Sequence, residues 1–160
     1  MKTSVNYKKF FSILSIVSMT LLMLGSCKKY PEGPVFSLQT PGHRLVGKYS
    51  INRCFVGGVE LTNELNGTVF TFKNLKGNNT FLINGTGLSI SAAYSWPYSK
   101  DYLDLSTFYY MDNNRIIPAL EPFTQDAEIR IIIMLLKQRE FSFEIEFNDK
   151  IYRYELEKNE

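Results

Sequence analysis

The sequence predicts an all-β domain. It is a single antiparallel sheet of about eight strands, closed as an up-and-down barrel or strongly curved, behind a cleaved N-terminal signal. Three observations carry this. The C-terminal segment alternates apolar and polar side chains with a strict period of two. Runs of β-branched and aromatic residues recur from Leu45 onward between glycine- and asparagine-containing turns. The one long uncharged apolar run is confined to the first 24 residues of 160, where flanking charge and length mark it as an export signal.

The N-terminus carries Lys2, Lys8 and Lys9 and no acid, followed by the uncharged run Phe10 to Leu24. A helix of about 15 residues is roughly 22 Å long, short for a hydrocarbon core of ~30 Å. Leu24-Gly25-Ser26-Cys27 then places an aliphatic residue and two small residues before a cysteine. This pattern resembles the lipobox of bacterial lipoproteins. The resemblance implies cleavage after Ser26 and lipid attachment at Cys27, whose acyl chains would hold the protein on a membrane at about 0.8 kcal/mol per buried CH₂. Residues 1–26 are thus expected to be a lipoprotein signal peptide. Removing them takes Lys+Arg from 18 to 15 against 16 acids, a balance of −1. The basicity belongs mostly to the signal, and no clustered positive face points to nucleic acid. With Cys27 acylated, Cys54 is left unpaired and reads as a small buried apolar residue.

Residues 27–43 contain Pro31, Pro34 and Pro41, which favour extended backbone and block regular pairing. They read as a tether, with "VFSL" as a potential edge strand. The β domain is expected over 44–160. "LVGKYSINRCFV" is the first strand and Gly57-Gly58 closes a turn before "VELT". "TVFTFK" puts Phe70 and Phe72 on one face. "LKGN" turns the chain into "NTFLING", and Asn84-Gly85 is the next turn signal, leading into "LSISAAYSW". "YLDLSTF" alternates Leu103 and Leu105 with polar partners. "EIRIIIMLLKQ", Glu128 to Gln138, is long enough for a helix, but its four isoleucines favour a strand. Between the two lies a long connection, 107–125, with the aromatic cluster Phe108, Tyr109, Tyr110 and Met111. Connections of that length are uncommon and often functional. At the end, "FSFEIEF" sets Phe141, Phe143, Ile145 and Phe147 against Ser142, Glu144 and Glu146. After "NDK", "IYRYELE" sets Tyr152, Tyr154 and Leu156 against Arg153 and Glu155.

The front of the chain is also similar to small lipocalin-like lipoproteins of Bacteroidetes-type bacteria. The resemblance rests on Cys27, then Tyr30-Pro31-Glu32-Gly33-Pro34, Ser37-Leu38, Arg44-Leu45 and Gly47-Lys48-Tyr49. Tyr49 stands where the family's first strand commonly has tryptophan. Trp96, and Ile133 and Leu136 ahead of Phe141 and Phe143, match later spacings. The resemblance implies a lipocalin-like barrel without fixing a ligand.

Catalytic chemistry is poorly represented. The single histidine, His43, falls at the end of the tether, which excludes a multi-histidine metal site and leaves nothing to orient a triad. Glu60 with Glu64, Asp101 with Asp104 and Glu144 with Glu146 are carboxylate pairs, but general acid/base work needs burial or a charged neighbour, and Glu144 and Glu146 fall on the polar face, where solvation is expected. "VGGVE" lacks the lysine and following helix of a phosphate loop. The chain therefore reads as a non-enzyme without cofactor or metal. Two expectations follow. In the first, the barrel holds a small hydrophobic ligand lined by Tyr49, Phe70, Phe72, Trp96, Tyr109, Phe141, Phe143, Tyr152 and Tyr154, with 107–125 as the rim. In the second, the barrel is packed and its outer surface meets an envelope protein. In the lipoproteins that the chain resembles, acids just after the cysteine mark export to the cell surface. Lys28 and Lys29 stand there instead, so the resemblance implies the outer membrane facing the periplasm, with the cell surface as the other option.

Overall fold

The computed structural model describes residues 40–159, apart from 76, 86, 97–100, 112–116 and 126. The signal segment, Cys27 and the tether up to residue 39, "VFSL" included, lie outside the described residues.

The chain begins with a short helix, α1 (Pro41–Leu45), capped by the Thr40 side chain, which accepts from the His43 amide. The long strand β1 (Gly47–Val56) and the two-residue β2 (Val59–Glu60) follow. A 3₁₀ helix (Thr62–Leu65) leads to β3 (Val69–Leu75), β4 (Asn78–Gly85), β5 (Leu88–Ser95) and β6 (Tyr102–Met111). A second 3₁₀ helix (Pro118–Thr124) precedes β7 (Ile129–Leu136), β8 (Glu140–Phe147) and β9 (Lys150–Lys158).

Strands β3 to β9 pair in sequence order, all antiparallel. β9 then pairs with β1, and β1 with β3. The result is a closed eight-stranded up-and-down barrel with β2 added beside β1. Closure removes the unpaired edges that so many strands would otherwise expose. β1 makes closure possible by bending. Its first residues, Gly47–Ser50, face β3, while Tyr49–Val56 face β9 and its tip pairs with β2.

Two tight turns follow from local sequence. Gly57 and Gly58 both have positive φ (56° and 84°), as do Asn148 and Asp149 (49° and 59°), the backbone that two-residue hairpins of matching twist require. Asn84-Gly85 behaves differently from expectation. Both residues remain in β4, where Gly85 pairs with Leu88 of β5. Gly85 is glycine for another reason. A Cβ there would lie 2.6 Å from the Thr68 Cα and 2.7 Å from the Gly67 carbonyl oxygen.

The segment 128–138 is a strand, as its isoleucines predict. Three strands carry bulges that shift their face by one residue: β1 between Ile51 and Arg53, β6 opposite Ser91–Ala93, and β7 between Ile133 and Leu135. The strand from Tyr102 is also longer than "YLDLSTF" suggests. It continues through the aromatic cluster to Met111, which shortens the connection to β7.

Helix α1 differs from the tether expected up to His43. Pro41, Arg44 and Leu45 are buried in it, and the Arg44 Nη1 donates to the Leu136 carbonyl at 2.6 Å. The His43 side chain is exposed.

Candidate functional site

Strand alternation directs one row of large side chains into the barrel, and the rows are rich in rings. Tyr49, Phe70, Phe72, Phe141, Phe143, Tyr152 and Tyr154 are all fully buried, so seven of the nine predicted lining residues share the interior. They pack on one another. Phe72 meets Phe81 at 4.9 Å between centroids, Phe143 stacks on Tyr154 at 4.8 Å, and Tyr49 bridges Phe72 and Phe141 at 6.1 and 5.9 Å. Offset and edge contacts of this kind add about 0.5–1.5 kcal/mol each beyond area burial.

No local pattern marks Phe123 as a core residue. The second 3₁₀ helix carries it into the barrel, where its ring lies 5.6 Å from Phe81, 5.6 Å from Tyr154 and 6.0 Å from Phe70. Ala119, Leu120 and Pro122 are buried beside it. The connection anticipated as a rim thus includes a plug over one end of the barrel. Leu65, from the first 3₁₀ helix, is buried as well.

The interior tyrosines fasten both ends. The Tyr154 hydroxyl donates to the Ala119 carbonyl at 2.7 Å, and Tyr152 donates to a Glu121 carboxylate oxygen at 2.7 Å. Asn148 donates to the other Glu121 oxygen at 3.4 Å. These bonds hold the Glu121 carboxyl below its ordinary range, the Tyr152 bond first. At the opposite end the Tyr49 hydroxyl lies 2.8 Å from the Arg44 carbonyl and 2.9 Å from that of Leu45. Lys158 reaches the Arg44 carbonyl at 3.2 Å, and burial lowers its pKa. Burial raises the pKa of Tyr49, Tyr152 and Tyr154, so all three stay neutral donors.

Cys54 is buried and free, as expected. Burial pushes its thiol up to about 12, with the Glu64 charge adding to the shift.

The remaining two predicted residues sit elsewhere. Trp96 is half-buried at the end of β5, packed against the core. Tyr109 is 68% exposed on the outer face. The bulge in β6 causes this. One extra residue moves Phe108 inward and Tyr109 outward, the reverse of what alternation from Leu103 and Leu105 predicts.

Two grooves mark the outside. One, of about 460 Å³, runs over β1, β9 and β8. The register sets Arg153 between Phe55 and Glu144, and Ile151, Arg53 and Glu155 line the groove beside them. Arg53 lies over the Phe55 ring at 4.6 Å and pairs with Glu60 at 3.4 Å, while Arg153 pairs with Glu155 at 3.2 Å. Ile151 is 51% exposed. The other groove, of about 800 Å³, crosses β4, β5 and β6 beside Tyr109. Among the described residues, no cluster of three or more His, Cys, Asp or Glu side chains is placed to hold a metal.

These features define a small closed antiparallel β-barrel domain with its interior filled by rings and both ends tied down. No protein-family model, curated protein or solved structure matches the chain.

Proposed function

We propose that this protein is a lipid-anchored envelope module whose barrel is a packed scaffold, and whose outer surface engages an envelope protein. The observation that supports it best is Phe123. A ring supplied by a connecting segment occupies the space between Phe70, Phe81 and Tyr154 where a barrel ligand would sit. A hydrophobic ligand in the interior would have to separate those rings and break the Tyr154–Ala119 bond. The groove where Phe55 and Ile151 sit beside Arg153 suits a protein partner better, because apolar side chains interleaved with both signs of charge, arginine among them, are the composition of a protein interface. The anchor rests on Leu24-Gly25-Ser26-Cys27 and its resemblance to a lipobox. Lys28 and Lys29 after the cysteine support the periplasmic face of the outer membrane.

Two experiments test the two halves. Cys27→Ala is expected to abolish incorporation of labelled fatty acid and membrane fractionation, and unchanged retention with normal processing would refute the anchor. For the partner, a photo-crosslinker is placed at Ile151 in the envelope. One reproducible partner, lost in an Arg53→Ala/Phe55→Ala variant, is the expected outcome. Recovery of no partner, or native mass spectrometry showing a small apolar molecule retained by the barrel, would overturn the reading.

A further inference from the structure

We infer that the groove across β4, β5 and β6 is a binding site for an uncharged saccharide, a ligand beyond the protein partner proposed above. The groove follows from the sequence of β5. Ser91, Ala93 and Ser95 point outward between the buried Ile90, Ala92 and Tyr94, so the middle strand has almost no side-chain height on its outer face. β4 contributes Asn78 and Thr80 on one side, with Thr80 opposite Ala93 in the register. β6 contributes Thr107 and Tyr109 on the other, with Tyr109 opposite Ser91. Strands ~4.8 Å apart set these walls roughly 10 Å from each other, room for one pyranose ring laid along the strand. The volume, about 800 Å³, suits a short oligosaccharide.

The chemistry of the walls selects the class. Among the described residues, Asn, Ser and Thr side chains line the groove alongside Ala92, Ala93 and Tyr94, and no charged side chain does. Asp104, opposite Ser95, is already held by Arg130 at 2.8 and 3.0 Å. A phosphate or a nucleic acid would find no cation among these described residues. An aliphatic ligand would strand the Ser, Thr and Asn groups without partners. A neutral polyol satisfies them, since each sugar hydroxyl both donates and accepts. Tyr109 supplies the other element of sugar recognition, an open aromatic face whose negative quadrupole attracts the polarised C–H bonds on one side of a pyranose.

Tyr109 is held out by an unfavourable backbone. Thr107 has φ of 56°, in the left-handed region that a β-branched side chain rarely enters, and it is the extra residue of the β6 bulge. Glycine is the residue that this bulge position favours. Strain of this kind collects at binding sites, where the aim of a neighbouring side chain is worth its cost. Here the bulge is what turns Tyr109 into the groove.

The test uses the full-length chain purified in detergent, with neutral oligosaccharides of glucose, mannose, galactose and N-acetylglucosamine as probes and heparin as an anionic control. Binding at millimolar sugar or tighter is expected. Amide shifts should be confined to 78–80, 91–95 and 106–109. Tyr109→Ala should weaken it roughly five- to tenfold, the scale of one aromatic contact, while Tyr109→Phe keeps most of it. Ala93→Trp, which fills the floor at an exposed position, should abolish it with the fold intact by circular dichroism. Absence of binding by every neutral probe, preference for heparin, shifts mapping elsewhere, or unchanged affinity in Ala93→Trp would each overturn the proposal. None of these results bears on the partner captured at Ile151, so the two readings fail separately.

Discussion

Phe123→Ala tests the packed interior most directly. The ring is fully buried between Phe70, Phe81 and Tyr154, at centroid distances of 5.6–6.0 Å. Its removal forfeits about 2 kcal/mol of transfer free energy. It also leaves a void on the order of 100 Å³, which at ~24 cal/mol per Å³ costs a further ~2.4 kcal/mol. Together these predict a loss of about 3–5 kcal/mol and a fall in Tm of roughly 10–20 °C. Urea unfolding followed by the fluorescence of Trp96, the single tryptophan, measures it. The void is dry and apolar, so the variant should also bind benzene or indole, which the unaltered protein should refuse. A loss below about 1 kcal/mol, or equal binding of benzene by both proteins, would show that the interior already holds usable space. The packed-scaffold argument would then fail.

Three other outcomes are expected. Tyr154→Phe leaves the Ala119 carbonyl without its donor. It should cost about 1–3 kcal/mol in urea unfolding and speed proteolysis within 118–124; no change in either would mean the plug is held by apolar packing alone. Gly85→Ala would drive a Cβ to 2.6 Å from the Thr68 backbone, while Gly42→Ala meets nothing within 4 Å. The first should prevent folding or destabilise it by several kcal/mol and the second should be neutral, and equal stabilities would refute the close-approach argument. Alkaline pH should unfold the protein progressively. The Cys54 thiol, pushed up to about 12, and the raised Tyr49, Tyr152 and Tyr154 phenols are all neutral in the fold. Stability is therefore fully present below the unfolded thiol value of ~8.5. It falls as pH rises past that and past ~10 for the phenols, because the unfolded chain gains by ionising first. Thermal melts from pH 7 to 11 should show it, and a flat profile would refute it.

Much of the fold was legible because several strands are regular. In β8 and β9 a period of two runs without interruption, and Phe141, Phe143, Tyr152 and Tyr154 all enter the interior as the alternation requires. The Gly57-Gly58 and Asn148-Asp149 turns announce themselves by residues that tolerate positive φ. The failures fall where a bulge intervenes. Tyr109, expected to line the interior, lies outside because a single extra residue inverts every side chain after it and leaves no compositional trace. The plug was equally hidden. "PALEPFT" carries two prolines and reads as a loop, and only the space inside a closed barrel gives Phe123 a place to go. The groove on β5 was visible as "SISAAYS", but small outward residues mean nothing until their flanking strands are known.

The sequence alone therefore determined what depends on near neighbours: strands from alternation, and the tight hairpins at Gly57-Gly58 and Asn148-Asp149 from residues that tolerate positive φ. Each follows from interactions within a few residues of chain. The tertiary structure decided what depends on closure. Pairing β1 with β9 as well as with β3 joins residues up to 109 apart, as in Tyr49 opposite Lys158, and no local pattern encodes that contact. Once the barrel shuts, its finite volume determines that Phe70, Phe143 and Tyr154 meet one another, that Phe72 meets Phe81 and Phe141, and that Phe123 completes the packing. The strand bulges then decide which side chains remain outside for a partner or a sugar to meet.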